Sequence, residues 1–327
     1  MSGTILVTGG AGNVGSHACK ALAAAGYRPV VYDSLIHGRE QAVQWGPLER
    51  GDIADSKRLD EVFERHRPTA VMHFAAFIAV GESVSDPGKY YRNNFAGALA
   101  LVEAAVAHGV DRFVFSSTAA TYGLPQTVPI IEDEPKTPIN PYGWSKLMVE
   151  QMLFDFERSH GLKSAIMRYF NAAGASPDGE IGECHEPETH LIPLALDAAA
   201  GKGPPLTVFG DDYPTPDGTC IRDYIHVGDL ADAHVRALGY LEKDGPTRAF
   251  NLGTGSGVSV REILDAIERV TGRAVPHSFG PRREGDPPVL VSDPSRAKIE
   301  LKWSPAMSDI DTIVGSAWAW HRASVDA

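Results

Sequence analysis

Short, wholly apolar runs alternate along the chain with stretches of helical period. Thr4-Ile5-Leu6-Val7-Thr8 is brief, β-branched and closed by glycines, the pattern of a strand buried on both faces. Residues 13–25 have helical composition and stop at Gly26, and Arg28–Asp33 is a second strand ending on an acid. A third strand precedes Gly51, residues 55–67 form a helix with a capping Asp at its start, and 70–74 is a fourth strand. Residues 89–108 predict one long helix closed by Gly109, followed by a strand over 112–116. After a Pro- and Gly-rich connection a helix opens at Pro141 and runs to about residue 159, and 163–168 is a further strand.

Strands and helices alternating at this spacing mean βαβ units on a parallel sheet. The fold class is therefore α/β, a Rossmann-type doubly wound parallel sheet with a smaller C-terminal α/β domain. Beyond Tyr169 the alternation weakens. Residues 172–188 and 201–224 are loop-like, with helical stretches at 190–200, 227–242, 258–271 and 310–321. The expected division is 1–171 for the nucleotide-binding domain and 172–327 for a loop-rich substrate domain, with later segments returning to the first. That second domain lies over the C-terminal edge of the sheet, where open α/β folds bind ligands.

Composition narrows the function classes. Hydrophobic residues at 43% and charged residues at 22% describe an ordinary globular chain, and 327 residues provide ample core. A net charge of −12 argues against a nucleic-acid or anionic-membrane partner. No apolar run reaches membrane length, and a strand starts too early to leave room for a secretory leader. A cytoplasmic protein is expected. Cys19, Cys184 and Cys220 are too scattered for a disulfide framework or a zinc site. His17 and Cys19, at i and i+2 of a helix, do not share a face, so no metal site is expected.

Two constellations carry chemistry. Gly9, Gly12 and Gly15 form GxxGxxG between the first strand and the first helix, with Asn13 and Val14 opening that helix. Glycines there let the backbone approach a pyrophosphate seated on the positive helix N-terminus. Asp33 ends the next strand, where a carboxylate accepts from a ribose 2′-OH and repels a 2′-phosphate, so the cofactor is NAD. Asp52 and Ile53 follow the third strand, where Asp52 either accepts from the adenine amino group or is a surface turn residue. Phe74, Ala75 and Ala76 close the fourth strand beside the pyrophosphate path. Farther on, Tyr142 and Lys146 stand one turn apart on one helix face. An ammonium beside a phenol favours the phenolate, which predicts a Tyr142 pKa lowered towards neutral and a proton acceptor suited to a sugar hydroxyl. A lone YxxxK is more often an ordinary exposed pair; the glycine loop and Thr118 upstream favour catalysis.

Taken together, these residues resemble the extended short-chain dehydrogenase/reductases, and among them the UDP-glucose 4-epimerases. The resemblance covers nearly the whole chain. It includes Ser116-Ser117-Thr118, Tyr142–Lys146, Arg168-Tyr169-Phe170-Asn171, His190-Leu191-Ile192-Pro193, Arg222-Asp223-Tyr224-Ile225-His226 and Pro281-Arg282-Arg283-Glu284-Gly285-Asp286. The resemblance implies that Tyr142 takes the proton from the sugar 4-OH, with Thr118 as a hydroxyl bridge and Lys146 on the nicotinamide ribose. Asn94, Ser116 and Tyr169 join the cofactor side. The UDP-sugar falls to Asn171, His190, Leu191, Thr207, Val208, Phe209, Arg222, Arg283, Asp286 and Leu290. A homodimer through the Tyr142 helix is also implied, with Leu147 and Phe154 as its extra apolar surface. Ile78 departs from relatives that carry a lysine near the pyrophosphate. A 4,6-dehydratase, which follows its Thr with Asp-Glu, fits less well, because Ala119-Ala120 stand there. A UDP-xylose/UDP-arabinose 4-epimerase would share the same machinery. A non-catalytic NAD-binding protein of this kind usually loses the Tyr or the Lys, and this chain keeps both.

Overall fold

The computed structural model describes residues 3–283 and 286–325, so Glu284 and Gly285 of the Arg-Arg-Glu-Gly-Asp block lie outside the described residues. In the first half the strands are β1 (Thr4–Thr8), β2 (Arg28–Asp33), β3 (Leu48–Arg50), β4 (Ala70–His73), β5 (Arg112–Thr118) and β6 (Lys163–Tyr169). Between them run α1 (Asn13–Ala24), α2 (Ser56–His66), α3 (Val80–Ser85), α4 (Pro87–Tyr90), α5 (Ala98–Ala107) and α6 (Pro141–His160). Side chains alternate across each strand, so Ile5 and Val7 enter one apolar layer and Leu6 the other. Helices cover both layers, which is why these strands read as continuous apolar runs.

Local chemistry sets the helix ends. The Asp55 carboxylate accepts from the Arg58 N–H at 3.0 Å, and Arg67 closes α2 in the left-handed region. Asn140 accepts from the Gly143 N–H at 2.8 Å, Pro141 occupies the first turn of α6, and Gly161 (φ 75°) ends it.

The long helix predicted over 89–108 is instead α4, a π-helical stretch Tyr91–Gly97, and α5. Asn94 lies in the π stretch and satisfies both backbone groups of Phe77. Its Oδ1 accepts from the Phe77 N–H at 2.9 Å and its Nδ2 donates to the Phe77 oxygen at 2.9 Å. The same Nδ2 reaches Ser145 Oγ at 3.2 Å. The widened turn lets a helical side chain stand in for main-chain partners that a loop lacks.

The second half contributes β7 (Asn171–Ala173), α7 (Leu191–Ala200), β8 (Leu206–Phe209), β9 (Ile221–Arg222), β10 (Tyr224–His226) and α8 (Val227–Leu241). It continues with β11 (Arg248–Leu252), β12 (Val258–Ser259), α9 (Val260–Thr271), β13 (His277–Gly280), β14 (Val289–Leu290), α10 (Ser295–Glu300) and α11 (Ile310–Val325). The returning segments are α8, packed on α1, and β11, which pairs parallel with β6. With β11 the central sheet has seven strands in the order β11-β6-β5-β4-β1-β2-β3. Three small sheets (β7 with β10; β9 with β12 and β14; β8 with β13) accompany α7, α9 and α11, which share an apolar cluster of their own. β1 has β4 on one side and β2 on the other, so the strand order reverses there and opens a crevice at the carboxyl ends.

Candidate functional site

The crevice begins where β1 ends. Gly9 turns the chain at φ 73°, and a Cβ there would stand 2.5 Å from the Ala75 nitrogen. A Cβ on Gly15 would stand 2.2 Å from the Gly9 oxygen. The turn, the end of β4 and the first turn of α1 are thus in backbone contact. The Phe74 N–H donates to the Thr8 oxygen at 2.8 Å, which sets Phe74, Ala75 and Ala76 beside the turn. Helix α1 starts at Gly12 with no side-chain cap and no acid in its first turn. Among the described residues, Asn13 Oδ1 is one of the few buried side-chain atoms with no hydrogen-bond partner. An uncapped helix N-terminus is a site for an anion.

Asp33 closes β2 beside this turn. It accepts from the Ala11 N–H at 3.0 Å and the Leu35 N–H at 2.8 Å. Burial nevertheless holds its carboxyl above the usual range, against both hydrogen bonds. A further donor, such as a hydroxyl, would stabilise the ionised form. Asp52 is exposed and its Oδ1 accepts from the Ala54 N–H at 2.8 Å, the geometry of a surface turn. Ile53 is buried in the core, so it has only its main chain to offer a ligand.

The second constellation meets the end of β5. The Thr118 hydroxyl acts on the Tyr142 phenol, favouring its ionised form, and accepts from the Ala120 N–H at 3.1 Å. Tyr90 meets the Tyr142 ring edge-on at 6.5 Å. Lys146 is buried; its ammonium donates to the Ser116 main-chain oxygen at 2.9 Å and lies 4.9 Å from the Phe115 ring centroid. Ser116 Oγ shares a 2.7 Å hydrogen bond with the Tyr169 hydroxyl. The fold therefore brings Ser116, Thr118, Tyr142, Lys146 and Tyr169 together.

The electrostatics differ from the sequence expectation. Burial pushes the Tyr142 phenol above its ordinary value, Tyr169 adds to the rise, and the Thr118 hydrogen bond opposes it. Lys146 is itself pushed down to about 7 by burial, with Glu150 working the other way. One helical turn puts Tyr142 and Lys146 on a common face, yet the long lysine stem carries the charge to a carbonyl instead. Glu150, the next turn along, forms a buried pair with Arg168 at 2.5 Å. Arg168 also donates to the Tyr122 hydroxyl at 2.9 Å, and Tyr122 donates to Asn251 Oδ1 at 2.7 Å. Sequence reasoning gives Glu150 no role; its position four after Lys146 is the available signal.

The substrate-side residues divide. Thr207 and Phe209 are exposed on β8, and the exposed Arg283 holds its guanidinium 4.2 Å over the Phe209 ring. Val208, between them, faces the core, which corrects any side-chain role for it. Arg222 donates to the Ile221 oxygen at 2.8 Å and pairs with Asp286, so these two expected residues are each other's partners. Leu290 lies beside Arg222 in the sheet and packs with Ala119, Tyr122, Ile130 and Phe170, next to Thr118. Asn171 opens β7, its N–H donating to the Asp223 oxygen at 3.1 Å. Leu191 packs on the cluster of the second half. His190, expected on the sugar side, has its Nδ1 held by Glu183 at 2.7 Å and Glu188 at 3.0 Å. Burial lowers its pKa, but the two carboxylates prevail and raise it to about 10.

Residues 5–253 match the profile of the NAD dependent epimerase/dehydratase family. The chain belongs to that family. It is 57% identical over 321 residues to the UDP-glucose 4-epimerase of Rhizobium meliloti (strain 1021), with 98% of each covered. Its fold superposes on the UDP-glucose 4-epimerase of Brucella ovis in complex with NAD at a TM-score of 0.96, with 53% identity over 97% of this chain and 98% of that one. The UDP-glucose 4-epimerase of Stenotrophomonas maltophila with bound NAD and formylated UDP-arabinopyranose gives a TM-score of 0.96 at 41% identity, with 99% of both covered. NAD is the cofactor of this epimerase/dehydratase family, and the residues present fit it. The glycine turn, the uncapped α1 and the unpartnered Asn13 oxygen suit its pyrophosphate, and Asp33 suits its ribose. Ile78 is 45% exposed, which leaves that position without a cation.

Proposed function

We propose that this chain interconverts UDP-glucose and UDP-galactose by inverting C4 of the hexose with NAD. The observation that carries the reading is the Tyr142–Thr118 hydroxyl pair at the end of β5, followed by Ala119 and Ala120 instead of carboxylates. Two hydroxyls move a proton on and off a sugar oxygen; eliminating water would need an acid and a base that this turn lacks. When bound, NAD supplies the hydride exchange at C4. Tyr142 removes the 4-OH proton and later returns it, Thr118 bridges phenol and sugar oxygen, and Lys146, anchored on the Ser116 oxygen, would bond the nicotinamide ribose.

The 4-keto sugar has to present its other face between the two transfers, so its hold falls to the nucleotide. Arg222 and Arg283 offer guanidinium forks for the diphosphate, and the exposed Phe209 ring offers a stacking face for uracil. In this reading residues 1–171 with α8 and β11 hold the cofactor, and the rest of 172–327 holds the UDP-sugar. We place the enzyme in galactose metabolism in the cytoplasm, in keeping with three free cysteines, and as a homodimer through α6. The pentose carried by the Stenotrophomonas maltophila neighbour favours UDP-xylose/UDP-arabinose interconversion as a side activity. The test is incubation with UDP-galactose and added NAD⁺, read by NMR. UDP-glucose should accumulate to equilibrium, and its absence after long incubation would refute the assignment.

A further inference from the structure

Four side chains of the loop between β7 and α7 converge although the C4 chemistry requires none of them. Glu183, His185, Glu188 and His190 each offer one ligand atom, and the four atoms lie within 4.8 Å of one another. His185 Nδ1 stands 3.0 Å from Glu183 Oε1 and 3.9 Å from Glu188 Oε2. His190 Nδ1 stands 2.7 Å from the same Glu183 oxygen and 3.0 Å from Glu188 Oε1. Four donors placed about 2.1 Å from one tetrahedral centre are about 3.4 Å apart, and the observed separations straddle that value. An ordinary ion pair needs one imidazole and one carboxylate. Here two imidazoles face a single carboxylate oxygen, with their rings 5.2 Å apart.

We infer that Glu183, His185, Glu188 and His190 form a site for one divalent transition-metal ion, zinc above all, which ties the loop to the start of α7. A bound metal displaces any imidazole proton, and two carboxylates with two neutral imidazoles then carry two negative charges, which one such cation balances. The N₂O₂ donor set suits zinc, and four protein ligands make the site structural rather than catalytic. The loop main chain fixes both acidic residues in place. Glu188 Oε1 accepts from the Thr189 N–H at 2.7 Å and the His190 N–H at 2.8 Å, and the Glu183 main-chain oxygen accepts from Trp320 Nε1 at 2.9 Å. The proposal departs from the expectation of no metal site, which weighed the cysteines and His17 alone. The signal is Glu-x-His, present twice in 183–190.

The experiment strips the full-length protein with a chelator and titrates it with Zn²⁺ against a chromophoric competitor, with Co²⁺ as the spectroscopic probe. One Zn²⁺ per chain should bind more tightly than about 1 µM, and Co²⁺ should show the intense visible bands of a four-coordinate site. His185→Ala and Glu188→Gln should each weaken zinc about tenfold or more, and Cys184→Ser should leave it unchanged. Zinc binding weaker than about 1 µM, or binding that His185→Ala leaves intact, overturns the site. Should a variant fail to fold, the stoichiometry and Co²⁺ spectrum of the parent decide.

Discussion

Lys146 donates its ammonium to the main-chain oxygen of Ser116 at 2.9 Å, two residues before the Thr118 whose hydroxyl acts on Tyr142. The lysine is therefore anchored to β5, and its charge is held in a buried place that disfavours it.

That charge should be visible in stability. Burial lowers the Lys146 pKa from 10.5 to about 7, so between those values the unfolded chain binds more protons than the folded one. Stability then rises with pH across that window, and the penalty is largest below it. Lys146→Met removes the titration. In cofactor-free protein, the melting temperature of the variant minus that of the parent should fall as pH rises from about 7 to 10.5. A difference independent of pH would show that Lys146 keeps its proton throughout.

Tyr142→Phe should lower turnover by about 10²-fold or more, the scale of a missing general acid/base, while UDP still binds. Turnover and UDP affinity measured on one preparation separate the two effects. Near-normal turnover would assign the proton transfer to another residue.

Glu150→Gln should destabilise the fold by about 3–5 kcal/mol, because Arg168 is left buried without its counter-charge. The double variant Glu150→Leu/Arg168→Met should cost less than the single one, since no lone charge remains. Urea unfolding of the three proteins checks the order.

Leu290 packs against the cluster formed by Ala119, Tyr122 and Ile130, which begins at the residue after Thr118 and makes Leu290 a candidate to limit the sugar. Shape alone discriminates by about 1–3 kcal/mol, so UDP-N-acetylglucosamine should react slowly in the parent. Leu290→Tyr should suppress that reaction and Leu290→Cys raise it, each judged by kcat/KM against UDP-glucose. Two variants that match the parent would release Leu290 from this role.

Trp144 and Met148, one turn apart on α6, are exposed, as are Val80 and Val84 on α3, which packs against α6. An apolar surface of this kind suits a partner helix pair. Light scattering should give twice the 35.1 kDa chain mass, and Trp144→Glu should shift it towards the monomer. A parent of monomer mass would exclude the dimer. Leu147 and Phe154, which the sequence pattern offers for this surface, are both half-buried, and Phe154 packs on the core.

What the sequence determined by itself rests on short-range physics. Gly9 and Gly15 occupy positions where a Cβ would strike backbone, so their place in the chain reveals the turn. Asp55 and Pro141 announce helix starts because a cap and a first-turn proline act within the turn they open. The apolar runs of β1 and β2 reveal strands covered on both faces. Tyr142 and Thr118 were legible as a site because strand and helix starts bring them to one edge of the sheet.

Tertiary structure alone decided the rest, because those choices are made between residues far apart in the chain. Lys146 could have turned to Tyr142 four residues away; a carbonyl 30 residues back in the chain accepts its hydrogen bond instead. Arg168 reads as a motif residue until Glu150, Tyr122 and Glu132 are seen around it. The pairing of β11 with β6 returns a segment of the second half to the central sheet, where no local propensity distinguishes it from its neighbours. The sequence does not show that Glu183 and His185 fold onto His190. Periodicity and turn chemistry specify elements, but burial and the matching of polar groups across the fold specify which charge meets which.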